Sequence, residues 1–213
     1  EYARSMNIIN KIASSLRAPV YFRGLDSPLF SIHERMEKYK VPGVSIALID
    51  RGDIAWVKTW GVSSVDSGEA FNPETLLQAA SMSKPVAAFG AMCMVDSGEL
   101  SLDDPINDCL TSWQLPDNTF TQQQAVTLRH LLCHRGGITG HGFTGYAQTE
   151  KQPSTVEVLQ GMAGVNSDPV TVDTLPGTEC RYSGGGYTVF QKAMEDVSHQ
   201  SFASLLKSRV LDP

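Results

Sequence analysis

Residues 81–98 read Ser81-Met82-Ser83-Lys84-Pro85-Val86-Ala87-Ala88-Phe89-Gly90-Ala91-Met92-Cys93-Met94-Val95-Asp96-Ser97-Gly98. A serine and a lysine three positions apart open a long apolar run. Positions three apart on a helix share a face, so the Ser81 hydroxyl and the Lys84 amine can meet. Met82, Val86, Phe89, Met92, Cys93 and Val95 make the run apolar nearly all round, which predicts a buried helix over 81–97. Asp96-Ser97-Gly98 stops it, with Gly98 suited to a left-handed cap. Pro85 is compatible with a first turn, whose amides have no helical partner to lose, although it biases Lys84 away from helical angles.

Two readings of Ser81 stand side by side. Serine is among the best helix N-caps, and capping alone would explain it. Capping does not explain a lysine in an apolar segment, where an unpaired ammonium is costly. The other reading is nucleophilic. A serine hydroxyl needs a neighbouring base, and a lysine can serve if its ordinary pKa of ~10.4 is pulled down. A helix N-terminus also supplies N–H groups and partial positive charge for a developing oxyanion.

With 213 residues there is length for one large domain or two small ones. Seventeen basic against 23 acidic residues leave a formal charge of -6, which argues against general binding to nucleic acid or an anionic membrane. No apolar stretch is long enough to span a bilayer. Glu1 in place of methionine points to a processed form or a fragment; no signal peptide is visible, and one could already have been removed. Cys93, Cys109, Cys133 and Cys180 contain no CxxC pair and read as scattered buried thiols.

Residues 1–18 read as a helical lead-in through Met6, Ile9, Ile12, Ala13 and Leu16, ending at Pro19. Leu29, Ile32, Met36 and Tyr39 share a face of a helix expected from Pro28 to Tyr39. GVSIALID (43–50) and IAWVKTW (54–60) flank Arg51-Gly52-Asp53 as a hairpin. Its first strand is apolar on both faces, as in a sheet covered by helices. Short helices and loops follow, clearest at 127–133 and 154–162, then amphipathic helices over 187–197 and 202–210. There is no internal repeat or low-complexity segment.

Pro176-Gly177-Thr178-Glu179-Cys180-Arg181-Tyr182-Ser183-Gly184-Gly185-Gly186-Tyr187 reads as a glycine-dense loop entering a helix. Phosphate-loop spacings are absent from it. A tyrosine held there could turn its phenol into a cleft and, beside a lysine, shuttle protons. With this stretch the chain resembles the serine β-lactamase-like superfamily of class C β-lactamases, DD-peptidases and related esterases. The resemblance is carried, in family order, by Val41-Pro42-Gly43-Val44-Ser45, Ser81-Met82-Ser83-Lys84 and Gly98-Glu99-Leu100-Ser101-Leu102-Asp103-Asp104-Pro105. It continues through Thr127-Leu128-Arg129-His130-Leu131-Leu132-Cys133-His134, Pro176-Gly177-Thr178, Tyr182-Ser183-Gly184 and Arg209-Val210-Leu211-Asp212-Pro213.

The resemblance implies an α/β (α+β) fold: an antiparallel sheet flanked by helices, a mainly helical insert, and C-terminal strands absent from this chain. The implied parts are a lead-in (1–27), the N-terminal part of the sheet domain (28–80), and the nucleophile helix with the helical domain (81–213). Ser81 becomes the acylated nucleophile, with its N–H as half of an oxyanion hole. Lys84 and Tyr182 become a coupled pair managing the proton, and Ser183 and Gly184 substrate-binding residues. Gly184 stands where class C enzymes usually have asparagine, which favours an esterase or peptidase-like relative. The third motif of the family, KTG-like or HxG-like, lies beyond Pro213.

The expected activity is acyl transfer through an acyl-serine on an amide or ester carbonyl: a β-lactam, a peptidoglycan-like peptide or a small ester. The alternative is a non-catalytic binding or scaffolding protein on the same fold. No cofactor is expected. His130, Cys133 and His134 lack further ligands, so no metal is expected either. His141 reads as shaping a loop near the cleft, His33 and His199 as ordinary surface or partly buried residues. Trp56, Trp60 and Trp113 read as core or cleft wall. The expected partners are a small-molecule or peptide substrate and a C-terminal segment or second chain that completes the sheet; without it this piece should not be stable. Family habit implies a periplasmic or secreted location, with the cytoplasm an alternative.

Overall fold

The computed structural model describes residues 2–20, 22–147 and 149–212, with side chains from residue 8 onward. The chain is mixed α/β, with small antiparallel sheets and seven α-helices among the described residues. It divides into two compact units, Glu1–Gln78 and Ala79–Pro213.

The first unit runs α1 (Tyr2–Ser14), β1 (Leu16–Arg17), β2 (Leu29–Phe30), α2 (Ile32–Tyr39), β3 (Gly43–Asp50) and β4 (Asp53–Gly61). The lead-in helix ends at Ser14, short of Pro19, because Leu16 and Arg17 pair with Phe30 and Leu29. The Met6 side chain lies outside the described residues, Ile9 is buried, and Ile12 is exposed. The same pairing moves the start of α2 from Pro28 to Ile32. There Ser31 and Glu34 form a capping box, the Glu34 N–H donating to Ser31 Oγ and the Ser31 N–H to Glu34 Oε2.

The β3–β4 hairpin is as expected, with Val44 opposite Trp60 and Asp50 opposite Asp53. Arg51 and Gly52 both take positive φ, as a two-residue type I′ turn requires. The expectation of a sheet covered on both faces is not met: Ile49 is 67% and Ile54 68% exposed. Among the described residues no further strand pairs with this hairpin. Trp56 nonetheless has a buried Nε1 without a hydrogen-bond partner.

The second unit contains α3 (Ser83–Asp96), α4 (Leu128–Leu132), α5 (Thr155–Gln160), α6 (Gly184–Ser198) and α7 (Phe202–Leu206). A 3₁₀ turn at Ala80–Met82 leads into α3, and a π-turn at Lys207–Leu211 replaces the expected continuation of the last helix. Val189, Phe190, Ala193 and Met194 of α6 are fully buried in one cluster with Ala87, Ala91 and Met94 of α3, Leu128 and Leu131 of α4, and Trp113. Burial of each large side chain there contributes about 1.5–3 kcal/mol.

Three expectations are corrected here. Helix α3 is not buried all round: Ala87, Gly90, Ala91 and Met94 face the core, whereas Phe89 is 60% exposed. Helices α6 and α7 and the Lys207–Leu211 turn pack against it. The cysteines are not buried either, since Cys93 and Cys109 are half-buried and Cys133 and Cys180 exposed. The glycines 184–186 are not loop but the first turn of α6, and they are buried. A Cβ at Gly185 would come within 2.5 Å of the Thr139 carbonyl, so only glycine lets the two backbones approach.

Candidate active site

Ser81 lies in the 3₁₀ turn ahead of α3, and Lys84 in the first turn of α3. Ala80 before it takes a φ of 45°, an uncommon conformation for a residue with a Cβ. The capping role for Ser81 is not seen. Its Oγ lies 2.6 Å from Tyr182 Oη and accepts a hydrogen bond from Lys84 Nζ at 3.3 Å. The Lys84 ammonium also stands 4.8 Å from the Tyr182 ring centroid and 5.5 Å from that of Tyr187.

Tyr182 is carried on the segment entering α6. Ser183 is the N-cap there: its Oγ accepts from the Gly186 N–H and donates to the Thr139 carbonyl. The Gly184 and Gly185 N–H groups donate to the carbonyls of His141 and Gly140, at 3.1 and 2.9 Å. The first helical donors are therefore satisfied by protein. Ser183 is buried and holds the turn, so its side chain does not reach the cleft as expected, whereas Gly184 lines it.

The cleft has a volume of about 810 Å³. Ser81, Lys84, Tyr182 and His141 are among its polar lining, with Gly142 and Gly184 beside them. Val86, Ala87, Phe143, Tyr187, Phe202 and Leu206 give it apolar walls. His141 thus belongs to the cleft, as its loop position implied. Trp113 is core, and His33 and His199 are exposed.

Hydrogen bonding to Lys84, and then to Ser81, holds the Tyr182 phenol below its usual range. Burial pushes the Tyr187 phenol up, and its Oη donates to the Leu132 carbonyl. In the sequence His134 stood out only beside His130 and Cys133, as part of a group without the further ligands a metal needs. Its ring lies 4.5 Å from that of Tyr182 and 5.0 Å from that of Tyr187. Burial, and then the Lys84 charge, holds its imidazole below the ordinary histidine range.

Among the described residues no three His, Cys, Asp or Glu side chains are grouped to hold a metal ion. His130 Nδ1 accepts from the Thr127 N–H, and His134 Nδ1 from the Ser183 N–H. No described helix is long and apolar enough to cross a membrane.

Residues 31–213 match the beta-lactamase family model. Protein flp of Staphylococcus aureus (strain N315) is 24% identical over 182 residues, covering 85% of this chain and 35% of that protein. Penicillin-binding protein 4 of Amycolatopsis lactamdurans is 27% identical over 176 residues, covering 83% and 44%. The octameric penicillin-binding protein homologue from Pyrococcus abyssi superposes with a TM-score of 0.69 at 28% identity, over 85% of this chain and 41% of that one. The chain thus spans less than half the length of each of these relatives.

Proposed function

This chain belongs to the beta-lactamase family, and from that premise we propose that it carries the nucleophilic centre of a serine hydrolase working by acyl transfer. The supporting observation is the contact of Ser81 Oγ with both Tyr182 Oη and Lys84 Nζ. With Lys84 donating to Ser81 Oγ, the serine proton is directed at the Tyr182 oxygen. The nearby ammonium and the lowered phenol value favour Tyr182 as the acceptor.

In the proposed cycle Ser81 Oγ bonds to the substrate carbonyl carbon while its proton passes to Tyr182. The carbonyl oxygen takes the negative charge beside the Ser81 N–H, which the family resemblance makes half of an oxyanion hole. The carbon–nitrogen or carbon–oxygen bond then breaks, and the leaving group takes the proton back through the Tyr182–Lys84 pair. Water attacks the acyl-serine and regenerates Ser81.

The substrate is proposed to be an amide or ester carbonyl whose apolar part rests against Phe143, Phe202 and Leu206. The names of two relatives keep the β-lactam ring among the candidates. At Gly184 a Cβ would meet the His141 carbonyl at 3.2 Å, so the glycine also serves the close approach of that loop. Because the relatives are more than twice as long as the match, we further propose that a segment homologous to their remainder completes the sheet and covers the outer face of α3.

A fluorescent penicillin or an activated ester tests the reading on the protein in its full natural length. A covalent adduct on Ser81, lost in Ser81→Ala, is expected. Absence of any adduct with either reagent would overturn the hydrolase and leave a binding protein on a hydrolase fold.

A further inference from the structure

We propose that His134 is a positioning residue for Tyr182, gripping the chain on both sides of it and setting the direction of its phenol. The inference deepens the hydrolase reading and rests on it. The His134 carbonyl accepts the Arg181 N–H at 2.8 Å, and His134 Nδ1 accepts the Ser183 N–H at 3.2 Å. One residue therefore holds the backbone immediately before and immediately after Tyr182. Its ring also packs against the Tyr182 ring, tilted by 35° with centroids 4.5 Å apart, which leaves the phenol aimed at Ser81.

His134 makes these three contacts from a left-handed backbone, with a φ of 58° directly after the α4 C-cap at Cys133. Strain of that kind persists only where surrounding contacts over-determine it. The contacts require a neutral imidazole. A proton on Nδ1 would face the Ser183 N–H donor to donor and add a cation beside Lys84.

The titratable and charged groups around the ring are Lys84 from α3, Tyr182 and Tyr187 from the α6 segment, Cys133 beside it, and Arg181 and His130. Burial and Lys84 both disfavour the imidazolium, so the accepting form prevails at neutral pH. Acid should break the grip and withdraw the phenol from Ser81.

The test follows labelling of Ser81 by a fluorophosphonate probe against pH, in the protein at its full natural length, with His134 ionisation read by nitrogen NMR. Labelling should fall as His134 takes up its proton. His134→Asn tolerates the left-handed backbone and can accept the Ser183 N–H, but has no ring to pack against Tyr182 and does not titrate. It should label about 10- to 100-fold more slowly at neutral pH and lose that acid limb. An unchanged rate and pH profile would overturn the proposal, as would a wild-type limb that does not coincide with His134 ionisation. That coincidence decides the matter if the variant does not fold. If the wild type takes no label, the hydrolase reading falls instead. Tyr182 phenol ionisation, read by carbon NMR, then judges the positioning: a His134→Asn value equal to wild type overturns it.

Discussion

Ser81 Oγ and Tyr182 Oη meet at 2.6 Å although 101 residues separate them in the chain. Lys84 Nζ reaches the same serine oxygen at 3.3 Å. A proton acceptor held this way is worth about 10²–10⁴ in rate. Tyr182→Phe should slow adduct formation by that factor while leaving the fold intact, as the phenol is exposed and its loss opens no cavity. Stopped-time labelling with an activated ester measures it; a loss under threefold would remove Tyr182 from the proton path.

The Tyr182 value carries a direction in pH. In the proposed cycle an ionised phenol accepts the serine proton, so labelling should rise with pH through the Tyr182 ionisation. Lys84 and Ser81 lower that ionisation, so the rise should come below the free-phenol value of about 10. Tyr182→Phe should flatten this alkaline rise, whereas His134→Asn should not. A rise of unchanged position in Tyr182→Phe would assign it to another group.

The Ser81–Lys84 pairing was legible because helical spacing alone brings positions three apart together. The glycine-dense loop drew attention to Tyr182, but only the family pattern paired it with Ser81, since no local rule joins residues so distant. Glycine propensity pointed to a loop at 184–186. The need for backbone contact with 139–141 overrides it, and only tertiary structure shows that. The start of α2 was misjudged for a similar reason: Leu29–Phe30 is claimed by a strand partner, Leu16–Arg17. Ser31-Ile32-His33-Glu34 was the local signal that marks the true start. His134 had weak local signals at most, since its left-handed backbone and its hold on residues 181 and 183 arise from packing.

Gly185 ties the turn below Tyr182 to the 139–140 backbone, just ahead of the cleft residues His141 and Gly142. An added Cβ would sit 2.5 Å from the Thr139 carbonyl and 3.1 Å from Val170 Cγ1. Gly185→Ala should cost about 1–3 kcal/mol, the usual penalty of overpacking, and should slow Ser81 labelling by displacing the Tyr182 segment. Urea unfolding reads the first effect. A variant as stable as wild type would mean that the 139–141 backbone yields freely.

Asp196 anchors a second network, away from the cleft. Only 8% exposed, it accepts the Thr111 and Ser112 N–H groups and the Ser112 hydroxyl, and pairs with Lys192 at 3.1 Å. Burial alone would raise its pKa, but the Ser112 and Thr111 amides, with Lys192, hold it below the ordinary carboxylate value. The folded value is depressed, so the stabilisation is complete above the unfolded value of about 3.9 and disappears as pH falls through the folded one. Asp196→Asn should cost about 2–4 kcal/mol at pH 7, and the gap from wild type should shrink in acid. A gap that stays constant down to pH 2–3 would show that the carboxylate charge contributes nothing.

The outer face of α3 carries the last expectation. Phe89 is 60% and Met92 41% exposed, on a helix whose opposite face is core. Burying each such side chain is worth about 1.5–3 kcal/mol, which favours either self-association or a covering segment. The 213-residue chain alone should therefore bind a hydrophobic dye and elute above monomer size, and Phe89→Ser should reduce both effects. Supplying a polypeptide homologous to the remainder of the longer relatives should yield a one-to-one complex that silences the dye. A monomer of this chain that unfolds cooperatively and ignores the dye would show that the face needs no cover.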